Sequence, residues 1–87
     1  MSKKEKNEDL REWSEDLIQF TKDAFLDQDF GFTPEKTVRL KRNDGSYGYI
    51  ELWDALNSRY NVHNDKRGNV YEYNNVSEMI KDGWVLD

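Results

Sequence analysis

Cysteine is absent from this 87-residue chain, and histidine and proline occur once each, as His63 and Pro34. Without cysteine there are no disulfide bonds, no thiolate zinc site and no thiol nucleophile. A single histidine excludes the HExxH signature and other histidine-rich metal sites. We therefore expect neither a metal ion nor another cofactor.

Long apolar segments are also missing. No stretch approaches the roughly 18 apolar residues of a membrane-spanning helix. Residues 1–7 include Lys3, Lys4 and Lys6 and are not followed by an apolar region, so they do not resemble a signal peptide. We expect a soluble cytoplasmic protein without a membrane partner, in which 1–7 form a flexible tail and 8–87 form one small α+β domain. An abundance of residues with AT-rich codons favours a low-GC bacterium, or a phage-infected host cell.

Glycine is scarce, and the five glycines form neither a GxGxxG motif nor a P-loop. His63 lies near Asp65 in the sequence and could act as a general base, but no serine, threonine or cysteine offers a convincing nucleophile. A solvated histidine in a turn explains the same residues. We therefore expect the protein not to be an enzyme.

Aromatic residues are plentiful, at 14% of the chain. Each aromatic side chain buries roughly 150–250 Å² when it is interior, which is enough to supply the core of one small domain. The three tryptophans, Trp13, Trp53 and Trp84, cannot all lie at the centre of so thin a core.

Acidic residues give the chain a net charge of −5, and the excess is concentrated near its start. Residues 8–29 contain eight acids and two bases. Apolar residues recur in the same segment at the spacing of an amphipathic helix. These residues are Leu10, Trp13, Leu17, Phe20 and Ala24. The pattern predicts a helix from about residue 8 to about residue 27, with Asn7 as its cap.

Strict alternation over 37–42, the turn signal at 43–45 and a further apolar-polar stretch over 46–52 predict a β-hairpin. A three-residue loop with Gly45 in the left-handed region fits best. On the core face this register pairs Val38 with Ile50 and Leu40 with Gly48. On the other face it pairs Arg39 with Tyr49 and Lys41 with Tyr47.

The remaining chain predicts a short helix over 53–60, a second hairpin over 61–73 and a short helix from a cap at Ser77 to Lys81. Residues 84–86 either dock on the core or add an edge strand. The fold class is therefore α+β. An N-terminal amphipathic helix packs on a small antiparallel sheet of hairpins, accompanied by two short helices.

Three surfaces are candidates for function. The first is the acidic outer face of the long helix, which could imitate a row of phosphates and attract a basic partner. It consists of Glu8, Glu12, Glu15, Asp16 and Asp23. An ordinary solvated helix face explains the same pattern.

The second candidate surface consists of Phe30 and Phe32. They flank Gly31 in the loop after the helix and could anchor a partner. They could equally cover the end of the sheet.

The third surface is the basic and aromatic sheet face, where cations for phosphates lie beside rings on which bases could stack. It consists of Arg39, Lys41, Tyr47 and Tyr49. Cross-strand packing on a solvated face explains it as well.

We therefore expect a small, acidic, non-enzymatic interaction protein. It would inhibit or regulate a larger nucleic-acid-handling protein with a basic surface, such as a nuclease, as a partial nucleic-acid mimic. In size and charge, though in no motif, it is similar to the inhibitors and anti-defence proteins of phages and mobile elements. The alternative is an RNA-binding or single-stranded-DNA-binding module that uses the basic and aromatic sheet face. The chain is expected to be a monomer or a homodimer.

Overall fold

The computed structural model describes residues 12–31, 33–66 and 68–87. They form an α+β fold, as predicted, with a helix packed against a curled antiparallel sheet and two short helices. The helices are α1 (Glu15–Asp27), α2 (Leu52–Leu56) and α3 (Val76–Lys81). The strands are β1 (Thr37–Arg42), β2 (Tyr47–Glu51), β3 (Tyr60–Asn64), β4 (Val70–Tyr73) and β5 (Trp84–Leu86). The tail predicted over 1–7 lies outside the described residues.

Helix α1 begins later than its apolar spacing predicted. The backbone of 12–14 is not helical, so a continuous helix over 8–27 is wrong. Ser14 is the N-cap, and its hydroxyl accepts a hydrogen bond from the amide of Leu17 at 3.2 Å. A serine cap followed by Glu15 and Asp16 satisfies free amides and places negative charge at the positive end of the helix dipole. The cap predicted at Asn7 lies outside the described residues.

The buried face of α1 is rotated from the predicted stripe. Thr21, Ala24 and Phe25 are buried, whereas the side chain of Phe20 is 62% exposed. Successive residues of a helix are about 100° apart, so a buried face centred on Thr21 leaves Phe20 at its margin. The prediction that Phe20 belongs to the core is therefore wrong.

The first hairpin has the predicted register. Val38 pairs with Ile50 and Leu40 with Gly48, which places these residues on the core face. Gly45 adopts a φ of 93° in the connecting turn, a conformation that few side chains tolerate. The alternation of the sequence and the chemistry of one turn were therefore sufficient to predict this pairing.

The strand order of the sheet is β4-β3-β2-β1-β5, and every neighbouring pair is antiparallel. The last strand joins the free side of β1, which is the edge-strand alternative that the sequence left open. Helix α1 then covers the outer edge of β5, where the amide of Leu86 donates to the hydroxyl of Thr21 at 3.1 Å. The helix therefore closes one edge of the sheet, which would otherwise present unpaired amides.

Trp84 fills the centre of the core and is fully buried. Its ring packs over Gly48, where an added Cβ would lie 2.5 Å from the carbonyl oxygen of His63 and 3.1 Å from the Trp84 ring. Only glycine permits this approach. Trp53 is 71% exposed, so the tryptophans do not all lie in the core.

A polar network closes the core beside Trp84. The hydroxyl of Tyr73 donates to Asp82 and accepts from the indole Nε1 of Trp84 at 3.2 Å. A terminal nitrogen of Arg42 donates to the carboxylate of Asp82 at 3.0 Å. The guanidinium carbon of Arg42 lies 5.4 Å from the ring centres of both Tyr71 and Trp84. Burial and the hydrogen bond to Asp82 raise the pKa of Tyr73.

The two short helices differ slightly from their predicted bounds. Asn75 caps α3 by accepting from the amide of Glu78 at 2.8 Å, so the cap predicted at Ser77 is wrong. Helix α2 ends at Leu56 instead of continuing to residue 60.

No helix in the described ranges combines the length and the apolar character needed to cross a membrane.

Candidate functional site

The predicted acidic face is only partly assembled on α1. Asp16 and Asp23 lie on the helix and are exposed, and Glu15 is exposed at its first position. Glu12 is also exposed but precedes the helix, so its predicted place on the helix face is wrong. Glu8 lies outside the described residues.

The observed acidic stripe consists of Asp16, Asp23 and Asp27, with Phe20 between the first two. These positions follow one another at intervals of four, three and four residues, so they lie along one side of the helix. The stripe is about 16 Å long at 1.5 Å per residue. The acidic face predicted from the sequence did not include Asp27, although the predicted helix end at about residue 27 agrees with the structure.

Asp27 stands at the unfavourable end of the helix dipole. The last turn of α1 contains no basic residue. A carboxylate at this end lies next to the partial negative charge of unpaired carbonyl groups and destabilises the helix by about 0.3–1 kcal/mol. Helix stability therefore explains Asp16 in the first turn but does not explain Asp27.

A groove of about 440 Å³ opens beside the acidic stripe, between α1, residues 29–31 and 33–35, the start of β1 and the end of β5. Its apolar lining comes from Phe20, Phe30, Val38 and Leu86. Three acidic residues also line it, namely Asp29, Glu35 and Asp87. We call this cavity the Phe20 groove.

The carboxylates of the Phe20 groove are not paired with any basic residue that the structure describes. Among the described residues, none of Asp29, Glu35 and Asp87 forms a salt bridge. Arg39 is the one basic residue among the described residues that line the groove. Its guanidinium is paired with Asp65 at 2.6 Å. Among the described residues, the groove therefore carries an excess of negative charge.

Phe30 is half-buried and contacts the core. Its ring meets the ring of Phe25 edge-on, with centroids 5.0 Å apart. This contact places Phe30 against the core, and its role as a partner anchor stays a prediction. Phe32 lies outside the described residues. Among the described residues, the exposed phenylalanine that lines the groove is Phe20, which the sequence pattern had assigned to the core.

The basic and aromatic sheet face has the predicted pairs, Arg39 with Tyr49 and Lys41 with Tyr47. Arg39 lies 5.8 Å from the ring centre of Tyr49 and forms its salt bridge with Asp65. Tyr47 is 51% exposed. The face therefore offers an exposed ring, while its arginine is already paired.

The second cation of this face, Lys41, interacts with the ring of Trp13. The ammonium of Lys41 lies 5.2 Å from the Trp13 ring centre, and the indole donates to the carbonyl of Gly83 at 2.7 Å. The sequence pattern had placed Trp13 on the buried face of the long helix. Its actual position follows from the late start of α1, which leaves Trp13 outside the helix.

His63 also belongs to this sheet face. Its ring stacks on Tyr49 at 4.8 Å with an interplanar angle of 9°. The nearby carboxylate of Asp65 pairs with Arg39. Within the described ranges, no group of three acidic or histidine side chains is arranged to hold a metal ion.

Comparison with known proteins finds no matching family model, no matching curated protein and no matching solved structure.

Proposed function

We propose that this chain is a non-enzymatic interaction protein that binds the basic surface of a larger nucleic-acid-handling protein, such as a nuclease, and inhibits or regulates it. The acidic stripe of Asp16, Asp23 and Asp27, with exposed Phe20 inside it, carries this proposal. Charge steers the encounter with a basic partner, and an aromatic ring at the centre contributes binding energy once water is expelled.

Two features of the surface support a binding role because they oppose the stability of the free protein. The carboxylate of Asp27 lies at the C-terminal end of α1, where its charge interacts unfavourably with the helix dipole. Phe20 leaves most of an apolar ring in water. A basic partner that covers the stripe would relieve both costs, since it would neutralise the carboxylates and bury the ring.

The dimensions of the stripe support a partial imitation of nucleic acid. Three carboxylates lie along about 16 Å of helix. One DNA strand places roughly five phosphates along the same length, at about 3.4 Å each. The stripe has a lower charge density, so the aromatic ring and the acids of the Phe20 groove must contribute to affinity.

The alternative function, binding of RNA or single-stranded DNA on the basic and aromatic sheet face, receives less support from the geometry. Both cations of that face already have partners, Asp65 for Arg39 and the Trp13 ring for Lys41. Binding a phosphate would require breaking these contacts on a protein whose net charge is −5. The counterion release that drives nucleic-acid binding would be small.

The test begins with the intact chain carrying Asn69→Cys in the turn before β4. The natural sequence has no cysteine, so this thiol can be labelled selectively. The chain is immobilised through it and used to capture proteins from a low-GC bacterial lysate. Each captured protein is then purified. Its affinity is measured by fluorescence anisotropy, and its activity on DNA or RNA is measured with increasing amounts of the chain.

The decisive comparison uses two double variants with the same change in net charge. Asp16→Lys with Asp23→Lys alters the acidic stripe, whereas Glu51→Lys with Glu72→Lys alters exposed positions on the sheet. We expect stoichiometric inhibition of a basic nucleic-acid-processing protein, and a loss of affinity of about tenfold or more in the stripe variant alone. Equal affinities of the two variants would refute the acidic stripe as the binding surface.

A further inference from the structure

The Phe20 groove combines an apolar lining with a charged margin. Phe20 and Leu86 contribute exposed or half-buried apolar surface, while Asp29, Glu35 and Asp87 contribute carboxylates. Its volume of about 440 Å³ lies within the range of natural binding pockets, about 300–1,000 Å³. An occupant of this groove must therefore present apolar surface and positive charge together.

We infer that the Phe20 groove receives an arginine side chain from the protein partner. This inference rests on the proposed function and specifies how the partner is recognised. An arginine buries its methylene groups against apolar surface while its guanidinium stays at the margin. The planar guanidinium also stacks on aromatic rings and donates to carboxylates in a fork, which an ammonium cannot do.

The protein itself contains an arginine held in this manner. Arg42 lies 5.4 Å from the ring centres of both Tyr71 and Trp84. Its Nε donates to the carbonyl oxygen of Asp82 at 3.0 Å, and a terminal nitrogen donates to the carboxylate of the same residue. The same two components, ring and carboxylate, line the Phe20 groove, where the arginine present, Arg39, pairs with Asp65, a residue that does not line the groove.

Charge complementarity selects a basic occupant over a neutral one. The three groove carboxylates lack salt bridges among the described residues, and Arg39 is paired with Asp65. An incoming guanidinium would therefore meet carboxylates that no cation of the described chain neutralises. Charge-assisted hydrogen bonds of this kind are roughly twice as strong as those between neutral groups.

The experiment titrates the intact ¹⁵N-labelled chain with N-acetyl-arginine amide and follows backbone amide shifts by NMR. The neutral, nearly isosteric N-acetyl-citrulline amide and the cationic N-acetyl-lysine amide serve as comparison probes. We expect the arginine probe to shift the amides of Gly31 and Leu86 with a dissociation constant in the millimolar range. Citrulline should bind at least about tenfold more weakly, because it lacks the charge. Lysine should also bind more weakly than arginine.

Two substitutions and one control locate the site. Phe20→Ala removes the exposed ring, and Glu35→Gln removes one carboxylate without changing its shape. Each should weaken binding of the arginine probe by about threefold or more. Leu26→Ala is the matched control, since Leu26 is an exposed apolar residue of α1 that does not line the Phe20 groove. The dispersion of each variant's spectrum shows that it remains folded.

The inference is overturned if citrulline or lysine binds as tightly as arginine, if the shifts lie away from the groove, or if Phe20→Ala binds like the natural chain. That result would leave the proposed function standing, because the acidic stripe can attract a basic partner without an arginine in the groove. Conversely, arginine binding in the groove without any stripe-dependent partner would refute the proposed function alone.

Discussion

The hydroxyl of Thr21 on α1 accepts the backbone amide of Leu86 on β5 at 3.1 Å and donates to the carbonyl of Leu17 at 2.9 Å. One fully buried side chain therefore joins the helix to the edge of the sheet. This contact turns Thr21 inward and leaves Phe20, its neighbour, at the exposed margin of the helix. The position of the candidate site follows from this polar contact as much as from apolar packing.

Replacement of Thr21 by valine should destabilise the protein. Valine has nearly the same shape but no hydroxyl, so the amide of Leu86 would lose its partner at a cost of about 1–3 kcal/mol. Urea unfolding measures this change. Amide hydrogen exchange at Leu86 should become faster in Thr21→Val.

Thr21→Ser is the control for this prediction. It keeps the hydroxyl and loses a methyl group, which costs about 1 kcal/mol or less. The amide of Leu86 should stay protected from exchange in this variant. If Thr21→Val protected Leu86 as well as Thr21→Ser, the hydrogen bond would not be what joins the helix to the sheet.

Charge reversal at the two ends of α1 should change stability in opposite directions. Asp16→Lys in the first turn should lower the free energy of unfolding by about 0.3–1 kcal/mol, and Asp27→Lys in the last turn should raise it by a similar amount. Both should weaken binding to the basic partner, because both remove a carboxylate of the acidic stripe. Thermal unfolding and anisotropy measure the two effects separately.

This pair of variants separates binding from stability. A loss of affinity in the more stable Asp27→Lys variant cannot be attributed to unfolding. Glu72→Lys, at an exposed position of β4, is the control for net charge and should leave affinity nearly unchanged. A stable Asp27→Lys variant with full affinity would show that Asp27 does not belong to the binding surface.

The pKa of Tyr73 should make stability fall in alkaline solution. Burial and the hydrogen bond to Asp82 raise this pKa above the ordinary value of 10.0, so the folded state keeps the hydroxyl proton longer than the unfolded chain does. The contribution of the protonated Tyr73 hydroxyl to the free energy of unfolding is therefore complete below about pH 10. It is lost as the pH rises above that value. The loss amounts to at most about 1.4 kcal/mol per pH unit.

Tyr73→Phe isolates this effect from that of the other tyrosines. The variant should be less stable at neutral pH, since the indole of Trp84 loses its hydrogen-bond partner, at about 1–3 kcal/mol. Between about pH 9 and pH 11 it should lose less stability than the natural chain. Parallel stability curves of the two proteins across this range would contradict the raised pKa.

Nucleic-acid binding on the sheet face should be absent or weak. We expect labelled single-stranded DNA, duplex DNA and RNA to show no change in anisotropy at about 50 mM or 200 mM salt, since both cations of the face are engaged. Binding that collapsed at the higher salt would favour the alternative function. In that case Tyr47→Ala, but not Trp53→Ala at another exposed ring, should weaken it by about 1–3 kcal/mol.

Much of the fold could be predicted because its signals are local. The alternation in β1 and β2 and the glycine of one turn predicted a register that the structure confirms at Val38–Ile50 and Leu40–Gly48. The start of α1 could not be predicted from its apolar spacing alone, since Trp13 continues that spacing while Ser14 caps the helix. A local capping interaction outweighed the periodicity.

The candidate site was only partly predictable. Asp16 and Asp23 were identified from their spacing, and both are exposed on one side of α1. Phe20 was assigned to the core because an aromatic residue at helical spacing is usually buried. Asp29, Glu35 and Asp87 were not grouped, because the pairing of β5 with β1 brings Asp87 to the groove from a distant part of the chain.

The sequence by itself determined the α+β class, the first hairpin with its register and the concentration of negative charge near the start of the chain. These features depend on residues that lie close together in the sequence. Their spacing and the residue types of the turn are therefore sufficient to predict them. Only the tertiary structure decided that β5 joins β1, that Thr21 turns α1 so as to expose Phe20, and that Arg39 and Lys41 have partners. These contacts join residues far apart in the chain, and they depend on how the helix and the sheet pack around Trp84.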